Sequence, residues 1–184
     1  MSEWNKDQVT SDVLEEEVEY TPEGAEPRIN CWVDVECADE VINYMFFDGP
    51  YVRDHVFADC VEGGHFYRYG WIPENQIWIE DLMSIVDRLC TGVHETHERY
   101  RMKYLGWGYD RAHMSALKTE RTLRRLLLEE GTAVPPIEGV MKILQAEGNG
   151  GDSVEIAKEL FYDSKDRIEA ASEQSNAAVG KKYE

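Results

Sequence analysis

The chain has 184 residues, 42% of them hydrophobic and 11% aromatic, enough to bury one substantial core, so one domain with tails is expected. Its 37 acidic against 19 basic residues leave a net charge of -18, which excludes a general phosphate-binding surface, because counterion release needs clustered Lys and Arg. No run of about 18 apolar residues occurs, and the stretch from Met1 to Asp7 lacks the basic, apolar layout of a secretion signal. The expectation is therefore a cytoplasmic protein without membrane contact and without direct nucleic-acid binding.

Residues 1–28 carry Glu15, Glu16, Glu17, Glu19, Glu23 and Glu26 with Pro22 and Pro27, and read as a flexible acidic arm. Asn30 to Val35 alternates like a half-buried strand, and Cys37 to Phe46 is expected to continue as a helix opened by Ala38-Asp39-Glu40. His65 to Ile72 and Gln76 to Ile79 are aromatic and β-branched runs separated by Pro73-Glu74-Asn75, a strand, turn, strand unit. A helix then runs through Ile85, Val86, Leu89, Val93 and His97, ending near Leu105-Gly106, where glycine suits a left-handed cap. A second helix starts between Gly108 and Asp110 and runs through Ala112, Ala116, Leu123 and Leu127. Residues 131–151, with Val134-Pro135-Pro136 and Gly148 to Gly151, read as a Pro/Gly linker. Residues 152–184 read as an amphipathic helix, Ser153 to Ala171, and a fraying tail. The four cysteines, Cys31, Cys37, Cys60 and Cys90, match no zinc-knuckle spacing and are expected as buried thiols.

The most informative stretch is His94-Glu95-Thr96-His97-Glu98, followed by Ala112-His113 and Glu120. Three of the five histidines fall within twenty residues, each beside or in register with a glutamate. Residues i and i+4 of a helix share a face, so His94 and Glu98 can grip one ion together. Glu95 projects about 100° away, toward an open position of that ion. The string is HExxE where a zincin has HExxH, and His113 on the next helix can restore two imidazoles and one carboxylate, the inventory of a catalytic His2Glu zinc site. Other assignments use the same groups. His97 can replace Glu98 as a ligand with Glu120 as third donor, or Glu120 can orient a ligand ring through a hydrogen bond. The bland alternative is a solvated face of i to i+4 pairs such as Glu95 with Arg99.

Gln76-Ile77-Trp78-Ile79-Glu80-Asp81, then the helix with His94 to Glu98, then Ala112-His113 and Ala116, resembles the minimal zincin-like metallopeptidases of phages and mobile elements. The resemblance spans about residues 65 to 125. It implies His94, Glu98 and His113 as ligands of Zn2+ or another divalent metal, Glu95 as general base, and the strand at Gln76 to Glu80 offering its edge to an extended peptide. The fold it implies is α+β: a small antiparallel sheet with packed helices and a zincin-like active-site helix pair in a metal-binding core of residues 29–130, flanked by the arm and the C-terminal helix. The function expected is a phage- or mobile-element-encoded, zinc-dependent hydrolase acting on a peptide or protein. Two alternatives are a non-catalytic acidic interaction protein, such as a host-defence inhibitor or virion component, and an HD-type phosphohydrolase using His97-Glu98 with His55 or His65.

Overall fold

A computed structural model describes residues 27–129 and 135–162. The acidic arm, except for its last two residues, the part of the expected Ser153 to Ala171 helix beyond residue 162, and the tail lie outside the described residues. The chain order is β1 (Ile29–Glu36), β2 (Val41–Phe47), α1 (Gly49–His55), β3 (Gly63–His65), β4 (Gln76–Glu80), α2 (Ile85–Leu105), α3 (Tyr109–Glu129) and α4 (Ile137–Gly148). A further helix, α5, is described over residues 153–162.

The four strands form one sheet in the order β1-β2-β4-β3. β1 and β2 are antiparallel, as are β3 and β4, but β2 and β4 run parallel, so the sheet is mixed where an antiparallel one was expected. The parallel pairing follows from the connection, since β2 returns to β4 by way of α1 and β3 rather than through a tight turn. β4 lies inside the sheet with both edges paired, and therefore cannot offer its edge to a peptide as the resemblance implied. Outside it stands only β3, three residues long and buried throughout.

The segment expected as a helix from Cys37 to Phe46 is instead a turn followed by β2. Its residues alternate in the period of a strand: Ile42 and Tyr44 enter one core, while Met45 and Phe47 join the other. Glu40 does not open a helix either, because its carboxylate is taken by Arg99, Lys103 and Tyr104. Asp48 caps the unexpected helix α1, its Oδ1 accepting from the Tyr51 amide at 3.1 Å with Pro50 in the first turn.

Two cores flank the sheet. Ile42, Tyr44, Ile77 and Ile79 pack under the helices against Val93, Leu123, Ile143 and Leu144. On the opposite face Phe47 and Trp78 pack with Val52 of α1 and with Tyr69 and Ile72 of the β3–β4 connection. Residues 66–71, expected to extend a strand, form turns: the His65 carbonyl accepts from the amides of Arg68 and Tyr69, which ends the ladder.

Helix α2 is the axis of the molecule. Ser84 caps its start by accepting from the Asp87 amide, and Gly106, at φ 63°, closes its end in the left-handed conformation that glycine adopts without penalty. Only residues 106–108 separate it from α3, so the two helices lie antiparallel, with His94 beside Glu120 and Glu98 beside His113. Residues 137–148, assigned to a linker by composition, form α4, whose Ile143 and Leu144 complete the core over α2. With sheet, α3 and α4 around it, α2 buries residues on nearly every side, including Thr91, His94, Thr96, His97, Glu98 and Arg99. Each of these polar groups must then find a partner inside the protein. Thr96 donates to the Gly92 carbonyl at 2.6 Å and shares a 2.7 Å hydrogen bond with the Tyr44 hydroxyl. Arg99, 1% exposed, is held by both Glu40 oxygens and by the Glu74 carbonyl.

Candidate metal centre

The i to i+4 relation on α2 brings His94 and Glu98 to one face, and the antiparallel α3 carries His113 onto them. His94 Nε2, Glu98 Oε2 and His113 Nδ1 stand 3.5, 2.9 and 3.1 Å apart around the triangle. A tetrahedral ion held at roughly 2.0–2.1 Å needs donor atoms about 3.3–3.4 Å apart. The three distances lie close to that requirement, so the donor set fits a divalent cation in spacing as well as in chemistry. The separation of the two imidazole nitrogens calls for a shared proton or a cation between them.

Glu120 does not join this triangle. Its Oε2 accepts from His94 Nδ1 at 2.9 Å, and its Oε1 accepts from Arg124 at 3.0 Å. This is the carboxylate–imidazole pairing that fixes the ring orientation of a metal-binding histidine, with His94 rather than His113 as the ring it orients. Arg124 in turn reaches Asp87 at the start of α2, which ties the support to both helices. His113, half-buried, is stacked by Tyr109 one turn earlier on α3, with ring centroids 5.2 Å apart, and the Arg68 guanidinium lies 4.7 Å from the Tyr109 ring.

His65 was assigned no place in the metal triad by sequence. It is fully buried on β3, with Nε2 3.0 Å from Glu98 Oε1 and 4.0 Å from Glu95 Oε2. His65, Glu95 and Glu98 form a second group whose donor atoms lie within reach of a common cation, sharing Glu98 with the first. The readable signal was Gly63-Gly64 before the histidine. A Cβ on Gly63 would lie 2.6 Å from Thr91 Cγ2 and 3.0 Å from Glu95 Cγ, so glycine is what lets β3 press against α2.

Electrostatics follow from burial and from this crowding. Burial would lower the pKa of His94, but hydrogen bonds to Glu120 and Glu98 raise it to about 10. For Glu98, burial acts upward and is outweighed by His65 and His94, which bring the carboxyl down to about 2. Burial and the adjacent charge of Glu98 push Glu95 up to about 8. The His65 pKa is lowered, chiefly by burial. In the ion-free protein a proton on His94 thus stands where a cation would bind.

Beside the triangle opens a cleft of about 710 Å³, lined by His94, Glu95, His113, Leu117 and Glu120 together with residues of α1 and its following loop. Arg53 of α1 meets both Glu80 oxygens at 2.9 and 3.0 Å on its wall. The arrangement can hold a cation next to the largely buried Glu95 carboxyl group on the cleft wall, which is the minimum apparatus for activating water against an electrophile.

His97, the alternate ligand, turns elsewhere. Its Nδ1 donates to Glu147 of α4 at 2.6 Å, and its Nε2 accepts from the Ser115 hydroxyl at 2.8 Å, while Ser153 holds the other Glu147 oxygen. This network stitches α2, α3, α4 and α5 together. His97 and Glu98 consequently point to different places; of the two upstream histidines weighed for an HD-type set, His55 stacks on Tyr51 at the surface, while His65 reaches Glu98. The bland pairing of Glu95 with Arg99 does not form, since Arg99 is committed to Glu40. All four cysteines are free thiols, and none shares a cation site with the histidines among the described residues; Cys60 and Cys90 are buried as expected, but Cys37 is only half-buried and Cys31 is exposed. No family model, curated protein or solved structure matches this chain. No described helix is long and apolar enough to cross a membrane.

Proposed function

We propose that this protein is a metal-dependent hydrolase of metallopeptidase-like type, with Zn2+ as the first ion to test. The observation that carries the reading is the triangle of His94, Glu98 and His113, closed at 2.9 to 3.5 Å with both of its histidines lining an open cleft. Two imidazoles and one carboxylate leave a dication a net charge of plus one and a free position, the composition of catalytic rather than structural zinc sites. When bound, such an ion supplies Lewis acidity, acidifying water toward a pKa of roughly 7 and polarising a carbonyl oxygen.

The chain's own residues divide the remaining work. Glu95, one residue along α2 from His94, lines the cleft and serves as the base that takes a proton from the attacking water and passes it to the leaving group. Glu120 holds the His94 ring, and Tyr109 supports His113. A peptide or protein substrate enters through the cleft, since β4 has no free edge to pair with it.

The test is elemental analysis of protein purified without a histidine tag, beside His94→Ala and His113→Ala variants, together with cleavage of a peptide library by wild type and Glu95→Gln. About one equivalent of ion, lost in both alanine variants, is expected, with turnover lost in Glu95→Gln while the ion stays. An ion-free, folded wild type would overturn the reading. The net charge of -18 favours one competitor, a non-catalytic acidic interaction protein, for which Glu95→Gln leaves partner binding unchanged.

A further inference from the structure

Glu98 stands where a histidine would be the simpler ligand, and the substitution creates a problem of its own. An imidazole presents one lone pair to an ion, but a carboxylate has two oxygens and can chelate through both, filling the position that a catalytic centre must leave open. In this protein the two Glu98 oxygens have different surroundings. Oε2 faces His94 and His113 at 3.5 and 2.9 Å, whereas Oε1 lies 3.0 Å from His65 Nε2.

The state of the His65 ring follows from its own surroundings. It is 0% exposed, and its Nδ1 meets no polar partner among the described residues. A neutral imidazole carries one proton. Placed on Nδ1, that proton would be buried without an acceptor, and the Nε2 lone pair would confront carboxylate oxygens. Placed on Nε2, it is donated to Glu98 Oε1. Strand β3 keeps the donor in position: His65 pairs with Ile77 in the sheet, and Gly63 lets the strand lie directly against Thr91 and Glu95 of α2.

We infer that His65 is a positioning residue that occupies Glu98 Oε1, restricts Glu98 to a single metal-binding oxygen, and so keeps a coordination position free for water or substrate. The inference rests on the metal reading above.

The experiment loads wild type, His65→Leu and His65→Gln with Co2+ and records the visible spectrum, then measures Zn2+ affinity by competition with a chromophoric chelator. Wild type is expected to show the intense bands of a four-coordinate site. His65→Leu is expected to show the weaker bands of a five-coordinate one and to bind Zn2+ about 10- to 100-fold more weakly. His65→Gln, whose amide can still donate to Oε1, restores both. Should leucine unfold the chain, His65→Gln against His65→Asn decides the matter, because the shorter amide falls short of Oε1 and must give the five-coordinate spectrum. A wild-type spectrum in His65→Leu or His65→Asn, or failure of glutamine to restore it, overturns the inference while leaving the metal site standing. A wild type that takes up no Co2+ or Zn2+ removes the metal reading and the inference with it.

Discussion

Glu120 of α3 holds the Nδ1 of His94 of α2 at 2.9 Å, and by doing so turns the Nε2 of that ring toward His113 and Glu98. The Nδ1 side of the ring is occupied by a carboxylate, so Nε2 is the nitrogen aimed into the triangle. Replacing Glu120 with alanine removes the constraint and leaves Arg124 with Asp87 alone. The expected outcome is a loss of about 10- to 100-fold in metal affinity with the fold retained, read by chelator competition and far-ultraviolet circular dichroism. Unchanged affinity would reduce Glu120 to a surface partner of Arg124.

The ion-free protein should lose stability as pH rises from about 7 to 9, above the range in which His65, its pKa lowered by burial, acts in the opposite direction. Glu95 binds a proton up to about 8 in the folded state but releases it near the ordinary carboxyl value when unfolded, so the folded state holds more protons across that interval. His94 acts in the same direction: its stabilising proton is fully present below its unfolded value near 6.5 and is lost as pH approaches about 10. Urea midpoints measured across that range with a chelator present should fall, and the slope should flatten in Glu95→Gln. Saturating Zn2+ should raise the midpoint most at the alkaline end, because the ion displaces the His94 proton.

Among the described residues Arg99 is the largest fully buried side chain, and both of its guanidinium arms end on Glu40. Glu40→Ala strands a buried charge and is expected to cost about 3–5 kcal/mol. Arg99→Met in the same background should recover part of that loss, and a double-mutant cycle by urea denaturation measures the coupling. Strictly additive losses would show that the pair does not act as a unit.

Gly63→Ala places a methyl group 2.6 Å from Thr91 Cγ2, and a β-branched side chain on a helix has little freedom to give way. An overpacking cost of about 1–3 kcal/mol is expected. Because the same methyl lies 3.0 Å from Glu95 Cγ, the turnover proposed to depend on Glu95 should fall by more than the fraction unfolded explains. Parallel decline of turnover and folded fraction would refute the displacement of Glu95.

The helices that carry the site could be read from the chain because their signals are local. Apolar residues three and four apart mark α2, Gly106 closes it, and Tyr109-Asp110 opens α3 where periodicity places it. The convergence of His94 and Glu98 follows from helical geometry alone, and a short connection at 106–108 makes His113 a plausible third member of the cluster. Elsewhere local pattern misled. Ala38-Asp39-Glu40 has the composition of a helix start, but Glu40 is claimed by Arg99, fifty-nine residues away. Pro136 and Gly148 suggest a linker, yet they bound α4, whose apolar face is buried against α2.

By itself the sequence determined which residues could share a helical turn, since a period of 3.6 residues needs no partner to be true. Tertiary structure decided the direction each imidazole faces. His94 and His97 sit three residues apart on α2, and one turns to Glu120 and the cleft while the other turns to Glu147 and the helical core. His65 reaches Glu98 across thirty-three residues of chain only because β3 is docked on α2. A buried imidazole takes whatever partner satisfies its nitrogens, and which partner stands there is settled by the packing of distant segments.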